Sequence, residues 1–531
     1  MSLVTSAPDR RGLFLAAALL GAGALLRLAA LSHPPPVNID EVRYLLTAHH
    51  VAVGLGYSDW RGPETHIHPA LPVLTATLAG ARRESLEGYG RAVNTVASIL
   101  LLVPLGMLAF RLGGMPTALL SLALLAFHPA LARAAATVGP EGLYVLATGL
   151  AIWLLLPIVE APLPLWRWGV AGICFGGAYL ARPEGLPVGM LAGVVAAVLG
   201  RGTGRHLAWA GLGLFLLTLL ATASPFLLFI HRTTGEWSLT GKTLELFFIG
   251  QGLLETGGQP PDYLRLRELQ HQWRGVLPFL RANPQSVLGA AALSARGIFL
   301  RLLPSQLGPV GLLGLLGFLL ALFRHRPLLR QSLLFFAPCL TLLLMLLTFP
   351  NARVVGSVVP FLLILSAFGW TFWMVALIPG RRARIGLAVV VLVAGGVMAW
   401  ARTLRQLPMN PFGRAVSPER SAARQALERA GNPARIACND PVLSYYAGEP
   451  ALFGPPGAYR ALPGAASCHQ LVSILKERHA SVAILSGAKA GIDLAVSSKD
   501  CSLESIFESR RPTGEPLRVY ALEDGAEREQ P

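Results

Sequence analysis

The sequence predicts an α-helical polytopic membrane protein with about eleven transmembrane helices, interfacial helices and a small C-terminal α/β domain. The 531-residue chain is 53% hydrophobic and only 14% charged, whereas about a quarter of the residues in a soluble domain are charged. Its mean hydropathy is positive, at +0.53. Apolar runs near membrane-spanning length recur through most of the chain, and the last part instead alternates short strand and helix patterns.

The transmembrane prediction starts from apolar runs, because a helix needs about 20 apolar residues to cross a bilayer. The first run is followed by further spans and has no small-residue cleavage site, which argues against a removable signal peptide. The predicted spans are Leu13–Leu31, Ala92–Leu112, Met115–Leu131, Gly139–Pro157, Trp168–Ala181, Leu186–Gly200, Leu207–Ile230, Gly308–Phe323, Ser332–Phe349, Val354–Ile378 and Ile385–Trp400.

The basic short loops predict the orientation, since Lys and Arg concentrate on the cytoplasmic side. A cytoplasmic N-terminus and alternating spans place them in the cytoplasm: Arg10 with Arg11, Arg111, Arg167, Arg201 with Arg205, RHRPLLR and PGRRAR. We therefore predict a bacterial inner-membrane protein with a transmembrane domain over residues 1–401. Two outer loops, 32–90 and 232–307, and a C-terminal domain, 402–531, then lie on the periplasmic side.

Three outer segments are apolar without spanning, which predicts interfacial helices in contact with membrane lipids. They are Val42–Leu55, Ile67–Gly80 and Val287–Leu303. The net charge of +16 comes from scattered residues and accompanies no RNA or DNA motif, so we expect no nucleic-acid partner.

The tail predicts a small α/β domain with a largely parallel sheet. RIACND, SVAIL and RVYAL have strand patterns, while SAARQALERAG and HQLVSILKERHA have helical periodicity. The tail has no glycine-rich phosphate loop or nucleophile elbow, so no chemistry is assigned to it. Cys438, Cys468 and Cys501 allow one disulfide in an oxidising compartment, and the pairing stays open.

The stretch NIDEVRY, residues 38–44, follows the first span and crowds charged groups together. Asn38 can cap a helix whose third residue is Glu41, which gives Glu41 a structural role. Asp40 shares a helix face with Arg43 and Tyr44, three and four residues later. Ionisable groups held near a membrane are costly and often mark function, so this face is a candidate site.

Other charges recur at predicted helix ends. Glu141 begins a span, where an acid favours the helix dipole or joins a site. Arg182 and Glu184 interrupt two apolar runs and either form a local ion pair or serve the site. Arg353 either anchors a helix end at the headgroups or binds a phosphate. His66 and His68 are too close to share a helix face, and a metal requirement stays undetermined.

Several stretches together resemble the GT-C superfamily of membrane glycosyltransferases, specifically the branch of protein O-mannosyltransferases and lipid A aminoarabinose transferases (glycosyltransferase family 39-like). The resemblance covers most of the chain in order. The matching stretches are DEVRY at 40–44, HPALP at 68–72, RAVNTVASILLLVPLGMLAFRLGG at 91–114, GPEGLYVLATGLAIWLL at 139–155, GGAYLARPEGL at 176–186, NARVVGSVVPFLLIL at 351–365 and CNDPVLSYYAGEP at 438–450.

The resemblance implies transfer of a sugar from a polyprenyl-phosphate carrier to a lipid, glycan or protein acceptor, usually with inversion. It implies that Asp40 deprotonates the acceptor hydroxyl and that Glu141 is a second acid near the acceptor. Arg43 then pairs with the donor phosphate, and Arg353 adds a second cation. Glu41, Tyr44, His68, Arg182 and Glu184 are supporting candidates. Aminoarabinose transferases carry Glu-Lys-Pro-Pro where this chain has Ile67-His68-Pro69-Ala70, so the sugar and acceptor stay open.

Two other functions fit parts of the sequence. A lipid or lipid-linked sugar transporter predicts half-repeats or charges at the bilayer midplane, whereas these charges lie at predicted outer helix ends. A non-catalytic scaffold accounts for the tail and leaves Asp40, Arg43 and Glu141 unexplained.

Overall fold

The structure, a computed structural model, is dominated by helices and includes a small sheet in the tail. It describes residues 10–32, 34–253, 268–269, 272–273, 276–324, 326–348, 351–378, 380, 418–433, 436–438, 440–453, 455, 468–486, 503–510 and 516–522. The predicted span Ile385–Trp400 lies outside these residues.

The described α-helices are numbered in chain order. They are α1 Arg10–Ser32, α2 Ile39–Ala52, α3 Ala70–Ala79, α4 Arg83–Leu100, α5 Leu102–Ala126, α6 Pro129–Ala135, α7 Glu141–Leu155, α8 Leu165–Ala181, α9 Gly185–Leu199, α10 Arg201–Thr234, α11 Thr243–Gly250, α12 Val276–Ala282, α13 Pro284–Gly297, α14 Leu303–Arg324, α15 Arg326–Phe336, α16 Leu340–Leu344, α17 Ala352–Leu377, α18 Pro418–Ala430, α19 Pro441–Ala447 and α20 Cys468–Glu477. Short 3₁₀ segments are Leu156–Val159, Ala337–Cys339 and Pro450–Phe453, and Ile298–Leu302 is a π-helix.

Within the described residues, six helices or continuous helix pairs are long and apolar enough to cross a membrane. They are Arg10–Ser32, Arg83–Ala126, Glu141–Val159, His206–Thr234, Pro284–Phe323 and Ala352–Leu377, with shorter apolar helices at Ala70–Ala79, Gly185–Leu199 and Ser332–Leu344. The other ten predicted spans overlap helical segments over their described residues; Phe349, the last residue of one of them, lies outside those residues. The total of eleven spans stays a prediction.

Glycine marks the breaks inside two of the long helices. Helix α5 bends at Gly113 and Gly114, and Gly114 has φ of 72°, a region that other residues rarely adopt. The sequence divides two predicted spans at this point. Helix α14 bends in the same way at Gly308, where φ is 67° and a proline follows.

A buried arginine joins α1 to α5. Arg27 is 1% exposed and donates to the carbonyl oxygens of Gly23 at 3.0 Å and Leu125 at 3.2 Å. Leu125 lies in the last turn of α5, where carbonyl groups lack helical partners and a cation is favoured. Its position in the sequence does not mark Arg27 as a linking residue, since one charge in an apolar run does not show which segment it will contact.

The tail sheet has the strand order β3-β4-β6-β5, formed by Ile436–Cys438, Val482–Ser486, Pro516–Leu522 and Leu503–Arg510. Strands β3 and β4 are parallel, while β4 pairs with β6, and β5 with β6, in antiparallel fashion. The prediction of a largely parallel sheet is therefore wrong. Strands β3 and β4 have helices between them that allow a parallel crossover, whereas β5 and β6 follow each other in sequence and such neighbours can pair antiparallel through a short connection.

Both faces of this sheet are buried, which explains its apolar strands. Leu485 and Leu503 pack with α20 through Leu471 and Leu475. On the opposite face, Ile484 belongs to a cluster that includes α18 and α19 residues. The remaining strands, β1 Ser58–Asp59 and β2 Gly62–Pro63, form a two-stranded hairpin elsewhere in the chain.

Two compact units divide the chain. The helical unit comprises residues 1–34, 65–71 and 90–408, and the loop–tail unit comprises 35–64, 72–89 and 409–531. The second unit thus joins most of the predicted first outer loop to the tail. The predicted domain boundary at residue 402 stays a prediction.

Candidate functional site

Each compact unit contains a cluster of charged side chains among its described residues. The loop–tail cluster, made of Asp40, Glu41, Arg43, Asp59 and Glu64, begins at helix α2. Asn38 caps this helix: its Oδ1 accepts the Glu41 N–H at 3.1 Å, and its Nδ2 donates to Glu41 Oε1 at 2.7 Å. Glu41 is 2% exposed. The predicted capping role of Glu41 is confirmed, with the side-chain amide of Asn38 bound in place of the backbone N–H of the usual capping box.

Arg43 lies between two buried carboxylates that the sequence analysis missed. Its Nε donates to Asp59 Oδ2 at 3.1 Å and its Nη2 to Glu64 Oε2 at 2.6 Å. The three side chains are 7%, 3% and 0% exposed, respectively. Both acids belong to the β1–β2 hairpin and its next residue, so the guanidinium ties this hairpin to α2. Their position in a polar, glycine- and proline-containing loop gave no sign of burial.

The loop–tail cluster carries more negative than positive charge. Burial favours a lower pKa for Arg43, but Glu64, Asp59 and Asp40 together raise that pKa. Burial and the charge of Glu64 raise the pKa of Asp59 to about 6, although Arg43 and the Arg61 N–H oppose the shift. Arg43 is therefore firmly charged, while Asp59 takes up a proton in mildly acidic solution.

The shared helix face predicted for Asp40, Arg43 and Tyr44 is present with unequal exposure. Arg43 is buried, whereas Asp40 and Tyr44 are partly exposed. The charge of Asp40 acts on Arg43. A partly exposed carboxylate can meet a ligand hydroxyl and accept its proton, whereas the buried Arg43 already binds two acids.

Glu141 is the centre of the cluster in the helical unit. Its Oε1 accepts from Arg182 Nη1 at 3.2 Å and from Arg353 Nε at 3.0 Å. Arg182 also forms a two-pronged pair with Glu184, with both distances 3.2 Å. The local pair of Arg182 and Glu184 weighed from the sequence is thus present, and it extends to Glu141 and Arg353.

Asn94 holds the start of α7, where Glu141 lies. Its Oδ1 accepts the Gly142 N–H at 3.0 Å, and its Nδ2 donates to the carbonyls of Ala134 and Thr137 at 2.8 and 3.1 Å. Asn94 is completely buried. It therefore fixes the backbone next to Glu141, a role that its position within an apolar predicted span did not reveal.

The second oxygen of Glu141 differs from the first. Oε2 is buried and has no hydrogen-bond partner among the described residues. It lies against Gly139, where any Cβ would overlap it. A buried acceptor without a donor is costly, so this oxygen suits a hydrogen bond from a ligand hydroxyl.

Arg353 is a cationic residue at the start of a helix. It is the second residue of α17, and its N–H is accepted by the capping Asn351 at 2.8 Å. Its side chain is 34% exposed, against 11% for Arg182. Helix N-termini and guanidinium groups both favour anions. Arg353 is thus the more accessible phosphate-binding candidate of the two arginines in this cluster.

His68 is a buried histidine fixed by its neighbours. Its Nδ1 lies 2.7 Å from the Tyr179 carbonyl oxygen, and its ring contacts the rings of Tyr179 and Phe226. His68 is close enough to Glu184 for the charges of the two side chains to interact. His68 therefore lies beside the Glu141 cluster.

The described residues bear on both the metal prediction and the disulfide prediction. Within the part of the chain that the structure describes, no group of three His, Cys, Asp or Glu side chains is arranged to hold a metal ion; the metal requirement stays open. Cys438 is a buried free thiol packed in the tail core. The side chain of Cys468 and all of Cys501 lie outside the described residues.

Solved structures share this fold. The chain matches ArnT from Cupriavidus metallidurans bound to undecaprenyl phosphate with a TM-score of 0.52 and 15% identity, over 95% of this chain and 97% of that chain. The same protein in its apo state gives a TM-score of 0.55 and 16% identity over 95% and 97% of the two chains.

An archaeal protein gives a similar result. The oligosaccharyltransferase AglB from Archaeoglobus fulgidus, in complex with an inhibitory peptide and a dolichol-phosphate, matches with a TM-score of 0.55 and 14% identity, over 98% of this chain and 75% of that chain. No protein family and no curated protein sequence matches the chain. The predicted GT-C fold is confirmed by these structural matches.

Proposed function

We propose that this chain, which has the GT-C fold, is an integral-membrane glycosyltransferase. It moves a sugar from a polyprenyl-phosphate carrier to a lipid, glycan or protein acceptor on the outer face of a bacterial inner membrane. The observation that carries the proposal is the Glu141 cluster, which presents an acid and an accessible guanidinium together at the ends of apolar helices. ArnT bound to undecaprenyl phosphate and AglB with dolichol-phosphate support the choice of donor.

The reaction makes two demands that these residues meet. The acceptor oxygen attacks the anomeric carbon and loses its proton, while the bond from that carbon to the carrier phosphate breaks. A carboxylate must take the proton, and cations must stabilise the charge that develops on the phosphate. For the loop–tail unit, we propose Asp40 as the carboxylate that takes the proton. For the helical unit, we propose that Arg353 binds the phosphate. Glu141 holds Arg353 through Oε1 and binds an acceptor hydroxyl through Oε2.

Arg43 has a different part in this proposal from the one that the resemblance implies. Two carboxylates already bind its Nε and Nη2, and its side chain is 7% exposed. We therefore assign Arg43 to holding the hairpin against α2, close to Asp40. The more exposed Arg353 takes the phosphate.

Transfer from polyprenyl-phosphate sugars to purified acceptors tests the proposal. Asp40→Asn should lower kcat by about 10²- to 10⁴-fold, the usual contribution of a general base. Glu84→Gln is the matched control, because Glu84 is also a first-turn acid and should transfer at the wild-type rate. If Asp40→Asn transfers as fast as wild type, the base assignment is wrong.

Arg353→Met should lower kcat by about 10²- to 10³-fold, the scale of losing one charge-stabilising group. The exposed Arg301 provides the control, as Arg301→Met. The donor is identified by finding which lipid-linked sugar accumulates in cells that lack the protein. The enzyme proposal fails if a panel of lipid-linked sugars is neither consumed in vitro nor accumulated in those cells.

A further inference from the structure

The tail contacts the candidate catalytic helix α2 at both of its ends, within the loop–tail unit. At the start of α2, the Tyr446 hydroxyl of α19 accepts the Val37 N–H at 2.9 Å. Val37 is buried and directly precedes the capping Asn38. Near the end of α2, Phe453 packs edge-on against His49 with ring centroids 5.6 Å apart.

The start of α4 is tied to the same tail surface. Arg420 of α18 donates to Glu87 at 2.7 Å, and its guanidinium lies over the Tyr446 ring at 5.1 Å. Arg83 lies over the Phe453 ring at 4.5 Å. Tyr446 therefore contacts the residue before the α2 cap, Phe453 contacts α2 itself, and a guanidinium group lies over each of the two rings.

These contacts have a consequence for Asp40, two residues after the cap. The direction in which the chain enters α2 sets the position of its first turn, and the Tyr446 hydrogen bond restrains the residue before the cap. A displacement of about 1 Å can reduce the rate of a positioned reaction about 10²-fold. The tail, to which the sequence assigned no chemistry, thus lies where it can control the position of the candidate base.

We propose that the tail is a positioning element for the catalytic helix, with Tyr446 as the positioning residue for Asp40. This inference rests on the proposed function for its catalytic part only. Tyr446 does not contact substrate; it keeps the first turn of α2 in place through Val37. This positioning role concerns the place of Asp40 and does not determine which sugar or acceptor the protein uses or how it contacts the donor.

Tyr446→Phe is the variant that tests the inference, because it keeps the ring and removes the hydroxyl, which interacts with the Val37 N–H and with the Arg420 side chain. Arg420→Ala measures the Arg420 part separately. Amide hydrogen exchange at Val37 and the first turn of α2 should become about fivefold faster, as expected for one lost neutral hydrogen bond. Exchange in β3 and β4 should stay unchanged. In transfer assays kcat should fall about fivefold or more while KM for the lipid donor changes less than twofold, since the positioning acts on the chemical step.

Two matched controls separate positioning from general damage. Tyr520→Phe removes a hydroxyl from β6, next to Arg518, and should leave exchange in α2 and kcat as in wild type. Arg424→Ala lies one turn from Arg420 on the same helix and is 79% exposed. It should be neutral, whereas Arg420→Ala should accelerate exchange at the start of α4.

The outcomes distinguish this inference from the proposed function. If wild type transfers no sugar, the proposed function fails, and the exchange measurement still decides whether the tail restrains α2. Unchanged exchange at Val37 in Tyr446→Phe would overturn the restraint. Faster exchange with unchanged kcat would overturn the link to catalysis.

Discussion

Replacing Arg43 by methionine tests whether its guanidinium holds the hairpin or the donor phosphate. Methionine keeps an apolar stem of similar length and leaves Asp59 and Glu64 without their cation. Both acids are 3% exposed or less. Removing one partner from a buried ion pair costs about 3–5 kcal/mol. Since about 1.4 kcal/mol corresponds to a factor of ten, amide exchange over residues 57–64 should accelerate roughly 10²- to 10⁴-fold at pH 7.5.

The faster amide exchange caused by Arg43→Met should become less pronounced as the pH falls. The folded-state pKa of Asp59 is raised from 3.8 to about 6, so its stabilising contribution is complete below about pH 4 and is lost as the pH rises through about 6. Without Arg43 the repulsion between Asp59 and Glu64 loses its compensation, which raises the pKa of Asp59 further. The exchange difference between Arg43→Met and wild type should therefore be smaller at pH 5 than at pH 7.5.

A triple variant separates the two roles. Arg43→Met combined with Asp59→Asn and Glu64→Gln removes the uncompensated charges, so protection of the hairpin and sugar transfer should both return. Recovery of protection without transfer would assign Arg43 to the donor phosphate after all. Arg61→Met is the control, since the Arg61 side chain is exposed and the substitution keeps the backbone N–H that donates to Asp59. Wild-type exchange in Arg43→Met would refute the buried-clamp argument.

Three further predictions concern stability. Gly369→Ala should destabilise the protein by about 1–3 kcal/mol, because the new Cβ would overlap the backbone of α14 at Gly314 and Phe318. Denaturant unfolding measures this loss. The control is Gly356→Ala on the same helix, where a Cβ meets nothing within 4 Å and the stability should not change. Arg27→Leu should lower the free energy of unfolding by about 1–3 kcal/mol, because it leaves the Leu125 carbonyl unpaired. The control Arg10→Leu changes an exposed residue and should leave the stability unchanged. Equal unfolding midpoints for the two variants would contradict this prediction. Burial raises the pKa of Glu449 from 4.5 to about 7, so tail stability should fall as the pH rises through this interval; Glu449→Gln should flatten that dependence, and an identical pH profile would exclude the role of Glu449.

The capping of α2 shows how far local sequence reasoning extends. Asn38 and Glu41 are three residues apart, and their hydrogen bonds depend only on helix geometry, so the sequence predicts them. Asp59 and Glu64 lie 16 and 21 residues from Arg43, across a loop with no periodicity. Their pairing depends on the hairpin, which makes it a tertiary property.

The Glu141 cluster likewise contains one pair between neighbours in sequence and one pair between distant residues. Arg182 and Glu184 are two residues apart, and their local pair was weighed from the sequence. Arg353 is 212 residues from Glu141, and only the packing of α17 against α7 brings them together. Similarly, strand patterns predicted β3, β4 and β6, whereas the orientation of β6 depends on its pairing with β5, which the sequence analysis missed.

By itself, the sequence determined the apolar helices, the cap of α2 and most tail elements, because each depends on hydrophobic periodicity or on neighbours within about one helical turn. The series of short stretches also predicted the GT-C fold. Only the tertiary structure decided which distant polar groups meet: Arg43 with a distant hairpin, Glu141 with Arg353, and the Tyr446 hydroxyl with the residue before the α2 cap. Buried charges require partners to offset their desolvation, and a sequence shows the charges without showing which segments meet.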